Sequence, residues 1–403
     1  MSASQILALC ADAVLLIGAS SIFIICLFFL LECVAALLPI ASFKFKDSWH
    51  NIKVVVLVPA HNEELVIGKT LEKLTPVLKK QDRLVVVADN CTDATAKISR
   101  AAGATVIERH DSSRRGKGYA LDYGLRFIES EPPDVVVLMD ADCIAHPGAV
   151  EQLSQYAIAT GQPVQSIYLM TKDQNSKSSR DFVAQFANIV RNLVRTRGSA
   201  FLGVPCLLNG TGMAFPWAVI RSVNLASGHI VEDMKLGLDL TLTGYKPIFC
   251  SEATVTGCVP SQAQAARTQK TRWEHGHLQM IQAYLPILLK EAVKQRRFDL
   301  MMSALDLCVP PLSLLAIIWL AVMISSLLGV VLGASWIPFA IAATAGFCFL
   351  SGILVAWARF ASLDLPLGQL LTIPLYVLWK IPVYFKFLIK PQSTWIRTER
   401  DVT

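Results

Sequence analysis

The sequence predicts an α/β protein, a doubly wound and mainly parallel sheet on the cytosolic side of a membrane, flanked by transmembrane and interfacial helices. Three observations carry that expectation. Four β-branched runs, IKVVVLVP (52–59), RLVVVAD (83–89), ATVIER (104–109) and DVVVLMD (134–140), carry continuous rather than alternating apolar stretches, as strands covered on both faces do. The connections from Glu63 to Lys79 and from Gly118 to Glu129 have the length and period of crossover helices. Long uncharged stretches lie at both ends of the chain.

Composition narrows the classes. With 53% hydrophobic and 17% charged residues, the 403-residue chain is neither disordered nor wholly soluble in character. Its net charge of +6 comes without a dense basic run interleaved with aromatics, so no nucleic-acid partner is expected. Ten cysteines fall singly, with no C-x-x-C pair and no zinc spacing, and read as free thiols of a reducing compartment.

The first apolar stretch, Ala13 to Ile40, carries only Glu32 and is long enough to cross a bilayer. Glu32 is expected to snorkel or to pair with a neighbouring lysine. Lys44, Lys46 and Lys53 follow, placing the next domain in the cytosol by the positive-inside rule. Residues 307–332 and 336–358 read as a hairpin of two further crossings. Residues 365–389 are apolar but contain Pro366, Pro374, Pro382, Lys380 and Lys386, so an amphipathic segment in the interface is expected, giving three crossings in all. Residues 277–297 read as another interfacial helix, with Leu278, Ile281, Leu285, Leu288 and Leu289 on one face and a kink at Pro286. The expected division is a membrane helix (1–48), a catalytic domain (49–265), a segment leading into the interfacial helix (266–298), a transmembrane hairpin (299–361) and an interfacial segment with a basic cytosolic tail (362–403).

Doubly wound sheets bind ligands at the carboxyl ends of their strands. Three of the four runs end there in polar residues: Pro59-Ala60-His61-Asn62-Glu63, Asp89-Asn90 and Asp140-Ala141-Asp142. Two carboxylates following a buried strand supply hard oxygen donors for Mg²⁺ or Mn²⁺ against nucleotide phosphates. The absence of G-x-G-x-x-G after the first strand, and of any G-x-x-x-x-G-K-[ST], removes the best support for a dinucleotide oxidoreductase or a P-loop ATPase.

The ordered segments VVLVPAHNEE, VVVADNCTD, RRGKGYALDYGL, VVVLMDADC, IVEDMKLGLDL and QKTRW resemble the membrane-bound family 2 glycosyltransferases of GT-A fold, in the branch containing cellulose, chitin and hyaluronan synthases. The resemblance covers residues 52–275. It implies that Glu63 and Asp89 hold the nucleoside, that Lys117 lies on the diphosphate side and that Asp140 and Asp142 carry the metal, Asp140 also touching the nucleotide sugar. It further implies Asp233 as general base, Arg272 as the cation on the leaving diphosphate, and Gly210, Glu232, Gln269 and Trp273 along the acceptor. Glycines beside Lys117 are expected to let the backbone approach phosphate. His275 and His277 are expected to be structural. Two positions depart from the family pattern: Val231 replaces a threonine, and Asp89 is followed by Asn90 rather than a second aspartate, which leaves nucleotide preference open.

The function implied is inverting, metal-dependent transfer from a nucleotide sugar, expected to be a UDP-sugar, to build a β-linked exported or cell-surface polysaccharide at the inner face of the plasma membrane. The acceptor is a growing glycan or a lipid-linked sugar, with membrane lipids alongside and a homo-oligomer or export partner completing any channel. The alternatives are transfer of one sugar to a polyprenyl-linked acceptor, and a catalytically silent nucleotide-sugar-binding subunit.

Overall fold

A computed structural model describes residues 3–40, 49–171, 179–258, 263–363 and 365–392. The basic positions 44 and 46, used above to orient the chain, lie outside them, as does the basic tail beyond 392. The chain divides into two compact units: residues 1–39, 177–204 and 301–389 form one, and residues 40–176, 205–300 and 390–403 the other.

The second unit is built on one eight-stranded sheet. Its strands are β1 (Val54–Ala60), β2 (Arg83–Asp89), β3 (Thr105–Arg109), β4 (Val135–Leu138), β5 (Cys143–Ala145), β6 (Val164–Thr171), β7 (Met213–Pro216) and β8 (Ile248–Cys258). They lie in the order β3-β2-β1-β4-β7-β6-β8-β5. The four expected strands are all parallel neighbours. β7 runs antiparallel to β4 and β6, and β5 antiparallel to β8.

Alternation along the strands builds two cores. Val54, Val56 and Val58 turn to one face, against Ile67, Leu71 and Leu74 of the helix Ile67–Leu74. Val55 and Leu57 turn to the other, against Leu121, Leu125 and Ile128 of the helix Lys117–Ile128. Successive side chains of a strand point to opposite faces, so a sheet covered on both sides needs uninterrupted apolar runs. The two crossover helices thus wind on opposite faces and bring the carboxyl ends of β1, β2 and β4 to one edge.

The segment holding Gln269-Lys270-Thr271-Arg272-Trp273 and the expected interfacial helix form one continuous helix, Ala263–Gln295, with Pro286 inside it. Its buried line is Met280, Tyr284, Leu288 and Ala292, four residues apart, while Leu289 is exposed. This stripe differs from the expected one because the helix packs on the helix Glu232–Thr243, where the Tyr284 hydroxyl donates to Asp239 Oδ1 at 2.6 Å. Gln392 returns to the same helix: its N–H donates to His275 Nδ1 at 3.2 Å and its carbonyl accepts from Gln279 Nε2 at 2.8 Å.

The first unit is helical. Four of its stretches are long and apolar enough to cross a membrane: Leu9–Ala35, Leu312–Val331, Ile337–Phe360 and Leu367–Ile389. The fourth was expected in the interface because of its prolines and lysines; of these, Lys380 is buried, its ammonium 5.7 Å from the Tyr376 ring and 5.6 Å from the Trp379 ring. Glu32, expected to snorkel or pair with a lysine, is buried and meets an arginine among the described residues. Its two oxygens accept from Arg195 Nε at 2.7 Å and from the Ser199 hydroxyl at 2.8 Å, and Arg195 also donates to Asp306 Oδ1 at 2.5 Å. Arg195 ends a π-helical turn, Val190–Arg195, that no local pattern announced. All ten cysteines lie among the described residues and are free thiols.

Arg195→Met leaves two buried carboxylates without their cation, which should cost about 3–5 kcal/mol. Thermal unfolding of the detergent-solubilised protein should show a large drop in midpoint. Arg83→Met, which removes the partly exposed Arg83–Glu131 bridge and the Arg83 Nη2 bond to the Glu131 carbonyl, should cost no more than about 1–2 kcal/mol.

Candidate active site

The site is assembled at the carboxyl ends of β1, β2 and β4. Beyond β1, Asn62 adopts φ 54°, a left-handed conformation that asparagine tolerates, and its Oδ1 accepts the Thr92 N–H at 2.7 Å. Glu63 follows and is buried, its N–H donating to Thr95 Oγ1 at 2.8 Å. Its carbonyl accepts from the N–H of Ile67, the first residue of the next helix. Asp89 closes β2. Its Oδ1 accepts from Arg109 Nη1 at 2.6 Å and from Asn90 Nδ2 at 3.0 Å. Burial pushes the Asp89 carboxyl up, and Arg109 opposes that shift.

The centre of the site is Lys117, first residue of its helix. Its ammonium donates to the Gly210 carbonyl at 2.6 Å, pairs closely with Asp140 and lies 3.7 Å from Glu232 Oε1. Burial alone would favour the neutral amine, but Asp140, Glu232 and Asp233 outweigh it and hold Lys117 as a cation, above its ordinary range. Burial pushes both Asp140 and Glu232 upward. Lys117 opposes this at both, and Arg272 opposes it at Glu232. Glu232 and Asp233 open the helix Glu232–Thr243, whose amino end favours carboxylates.

Gly210, at φ +86°, is where these groups meet. A Cβ there would stand 3.3 Å from Asp233 Oδ2, 3.7 Å from Lys117 Nζ and 3.9 Å from Asp140 Oδ2. Its loop is fixed from below: Asp140 N–H donates to Thr211 Oγ1 at 3.0 Å, Gln165 Nε2 to the Thr211 carbonyl at 3.0 Å, and Asn209 N–H to Gln165 Oε1 at 2.9 Å. The expected use of the flanking glycines needs correction at Gly118. A Cβ there would lie 2.6 Å from the carbonyls of both Leu225 and Ser227, so this glycine admits a neighbouring loop rather than a phosphate.

Asp140, Asp142 and Cys143 bring ligand atoms within 4.8 Å of one another. Burial pushes the Cys143 thiol well above its ordinary range, and the two carboxylates are the hard donors of the group. Four carboxylates (Asp140, Asp142, Glu232, Asp233) surround two cations (Lys117, Arg272), a surplus that suits a hard divalent ion. Arg272 Nε is buried and has no hydrogen-bond partner among the described residues. Trp273 packs in part against the core beneath the sheet, and Gln269, one turn earlier on the same helix, is buried.

The structure therefore joins Asp142, Asp140, Lys117, Glu232, Asp233 and Arg272 into one constellation, with Glu63 and Asp89 at the adjoining strand ends. Sequence reading missed Arg109 and Gln165. The available signal was a polar residue inside or closing an apolar strand, as Gln165 and Arg109 are.

Comparison with known proteins agrees with the fold. Over 285 residues, 64% of this chain and 63% of that protein, the chain is 27% identical to a probable glycosyltransferase, YdaM, of Bacillus subtilis. It is 28% identical to probable glucomannan 4-beta-mannosyltransferase 11 of Arabidopsis thaliana over 244 residues, 55% of this chain and 53% of that protein. The chain thus spans less than two thirds of the length of these relatives. The solved mannosyltransferase PcManGT from Pyrobaculum calidifontis, in complex with GDP-Man and Mn²⁺, superposes with a TM-score of 0.54 at 18% identity, covering 95% of this chain and 100% of that one. The family model "Glycosyltransferase like family 2" matches residues 50–276, more than half of the chain and the whole of the constellation above. With its GT-A-like mixed sheet, the chain belongs to glycosyltransferase family 2.

Proposed function

We propose that this chain transfers a sugar, with inversion, from a nucleoside-diphosphate sugar to a hydroxyl acceptor, building a β-linked polysaccharide at the cytosolic face of the plasma membrane. The observation that carries the reading is the convergence of Lys117, Asp140, Glu232 and Asp233 on Gly210, with Arg272 beside Glu232. The β-linked polymers named for the plant relatives and the manganese of the archaeal complex support it. The four apolar helices mark the chain as membrane-associated and support its placement.

Asp233 takes the proton from the acceptor hydroxyl as that oxygen attacks the anomeric carbon. Lys117 holds Asp140 and the Gly210 loop in place, so the base and the proposed metal-binding acid lie on either side of one glycine. Arg272, whose buried Nε has no hydrogen-bond partner among the described residues, offers its guanidinium to the diphosphate as negative charge gathers there. Asp140 and Asp142 would hold Mn²⁺ or Mg²⁺, which when bound neutralises charge on the leaving diphosphate. Glu63 and Asp89 bind the nucleoside. Glu232, Gln269 and Trp273 flank the acceptor path, Trp273 offering whatever ring face the core leaves uncovered.

Asp233→Asn should retain nucleotide binding and lose about 10²–10⁴-fold in transfer rate, the usual worth of a general base. A rate within threefold of the parent would remove Asp233 from that role. Treatment with EDTA should abolish turnover, and added Mn²⁺ or Mg²⁺ should restore it; full activity in chelator would refute the assignment of Asp140 and Asp142. Sizing the product made by purified protein from radiolabelled donor should reveal a ladder or a long chain. A single added sugar per acceptor would favour transfer to a polyprenyl-linked acceptor instead.

A further inference from the structure

The acid assigned to the nucleoside is already half occupied. Asp89 Oδ1 accepts two hydrogen bonds, from Arg109 Nη1 at 2.6 Å and Asn90 Nδ2 at 3.0 Å, which fills the capacity of one carboxylate oxygen. No donor among the described residues reaches Oδ2, and the side chain keeps 9% of its surface open. Asp89 therefore has one oxygen to offer and presents donors beside the other.

The clamp is rigid. Arg109 is the last residue of β3 and pairs directly with Asp89 in the strand register. Its Nη2 donates to Asp111 Oδ2 at 3.1 Å and to the Arg114 carbonyl at 2.8 Å, and its guanidinium carbon sits 5.7 Å from the centre of the Tyr119 ring. Asn90, at φ 51°, donates through Nδ2 to the Asp111 carbonyl at 3.2 Å and accepts the Asp111 N–H on Oδ1 at 2.8 Å. Both donors to Oδ1 are thus fixed by other bonds and are not free to swing away.

Nucleobases differ along the edge this carboxylate would read. Guanine carries two adjacent donors, N1–H and the exocyclic amine, and a carboxylate reads them with both oxygens. Uracil carries one donor, N3–H, between two carbonyl acceptors. Laid against Asp89, uracil places N3–H on Oδ2 and a carbonyl beside the Arg109 and Asn90 donors. Guanine would drive its second donor against donors already on Oδ1, leaving a polar group unpaired in a desolvated site. Cytosine, whose N3 is an acceptor, would face Oδ2 with a lone pair.

Building on the proposed donor class, we infer that Arg109 is a positioning residue that sets the base preference: by saturating Asp89 Oδ1 it tunes the site to the single-donor imide of a uracil nucleotide and against guanine. The preference then lies in a side chain that need not touch the nucleotide itself.

Calorimetric titration of the full-length protein in detergent with Mn²⁺ tests this, using UDP, GDP, CDP and N3-methyl-UDP. UDP should bind at least about tenfold tighter than each of the other three, since each loses or opposes one buried hydrogen bond. In Arg109→Ala the gap between UDP and GDP should shrink several-fold while both still bind through the diphosphate. A merely structural Arg109 would weaken all four nucleotides alike and leave their ratios unchanged, which would overturn the inference. GDP binding as tightly as UDP to the parent protein, or N3-methyl-UDP binding as tightly as UDP, would overturn it without any variant. If none of the four binds, the proposed nucleotide-sugar donor falls first, and this inference with it.

Discussion

Lys117 is the cation around which the site closes. Its ammonium touches Asp140 at the end of β4, Glu232 at the start of a helix almost a hundred residues further on, and the carbonyl of Gly210 between them. Three distant parts of the chain are held together by one charge. Removing that charge would leave carboxylates facing one another in a partly desolvated pocket, so the ammonium is needed before any ligand arrives. Its field also sets the ionisation around it, opposing the upward pull of burial at both Asp140 and Glu232. A divalent ion and a diphosphate would enter a pocket whose electrostatics are already arranged.

Much of the sheet was legible because the physics that makes these strands is local. Val54 to Val58 must be apolar at every position, since alternate side chains feed two different cores. The remaining strands were hidden for equally physical reasons. β5 is three residues and β7 four, too short to establish a period, and β6 slips register against β8 between Ser166 and Ile167. The stripe on the helix Ala263–Gln295 was misread because its partner, the helix Glu232–Thr243, is a tertiary neighbour that no periodicity reveals. Glu32 is the same lesson in the helical unit: its cation comes from residue 195, on a turn defined only once the chain has folded.

Asp89, Asp140 and Asp142 stood out as candidate acids because strand ends mark where a doubly wound sheet binds, whereas Glu232 and Asp233, which open a helix, stood out only through the resemblance. What supports them was not legible. Thr211 and Gln165 act only because β6, β7 and β4 lie side by side, and Arg109 acts only because β3 pairs with β2 in a register that sets it opposite Asp89. Such partners are chosen by topology, and a single sequence carries little trace of topology. The reading of Gly118 failed in the same way, since the loop that fills its side comes from residues 225–227.

The division into two units has a bearing on synthesis. Neither unit is a continuous stretch: one takes residues from 1–39, 177–204 and 301–389, and the other takes everything between and after. When the ribosome has finished the last strand of the sheet, Arg195 already has Glu32 but still lacks Asp306. Nor can His275 meet Gln392 until the final apolar helix has left the exit tunnel. The last described contact of the sheet-bearing unit, Gln392 with His275, therefore forms only after all four apolar helices have been synthesised. A fragment cut at 49–265 would hold every carboxylate of the site and yet strand Arg195 without either acid it was built to meet.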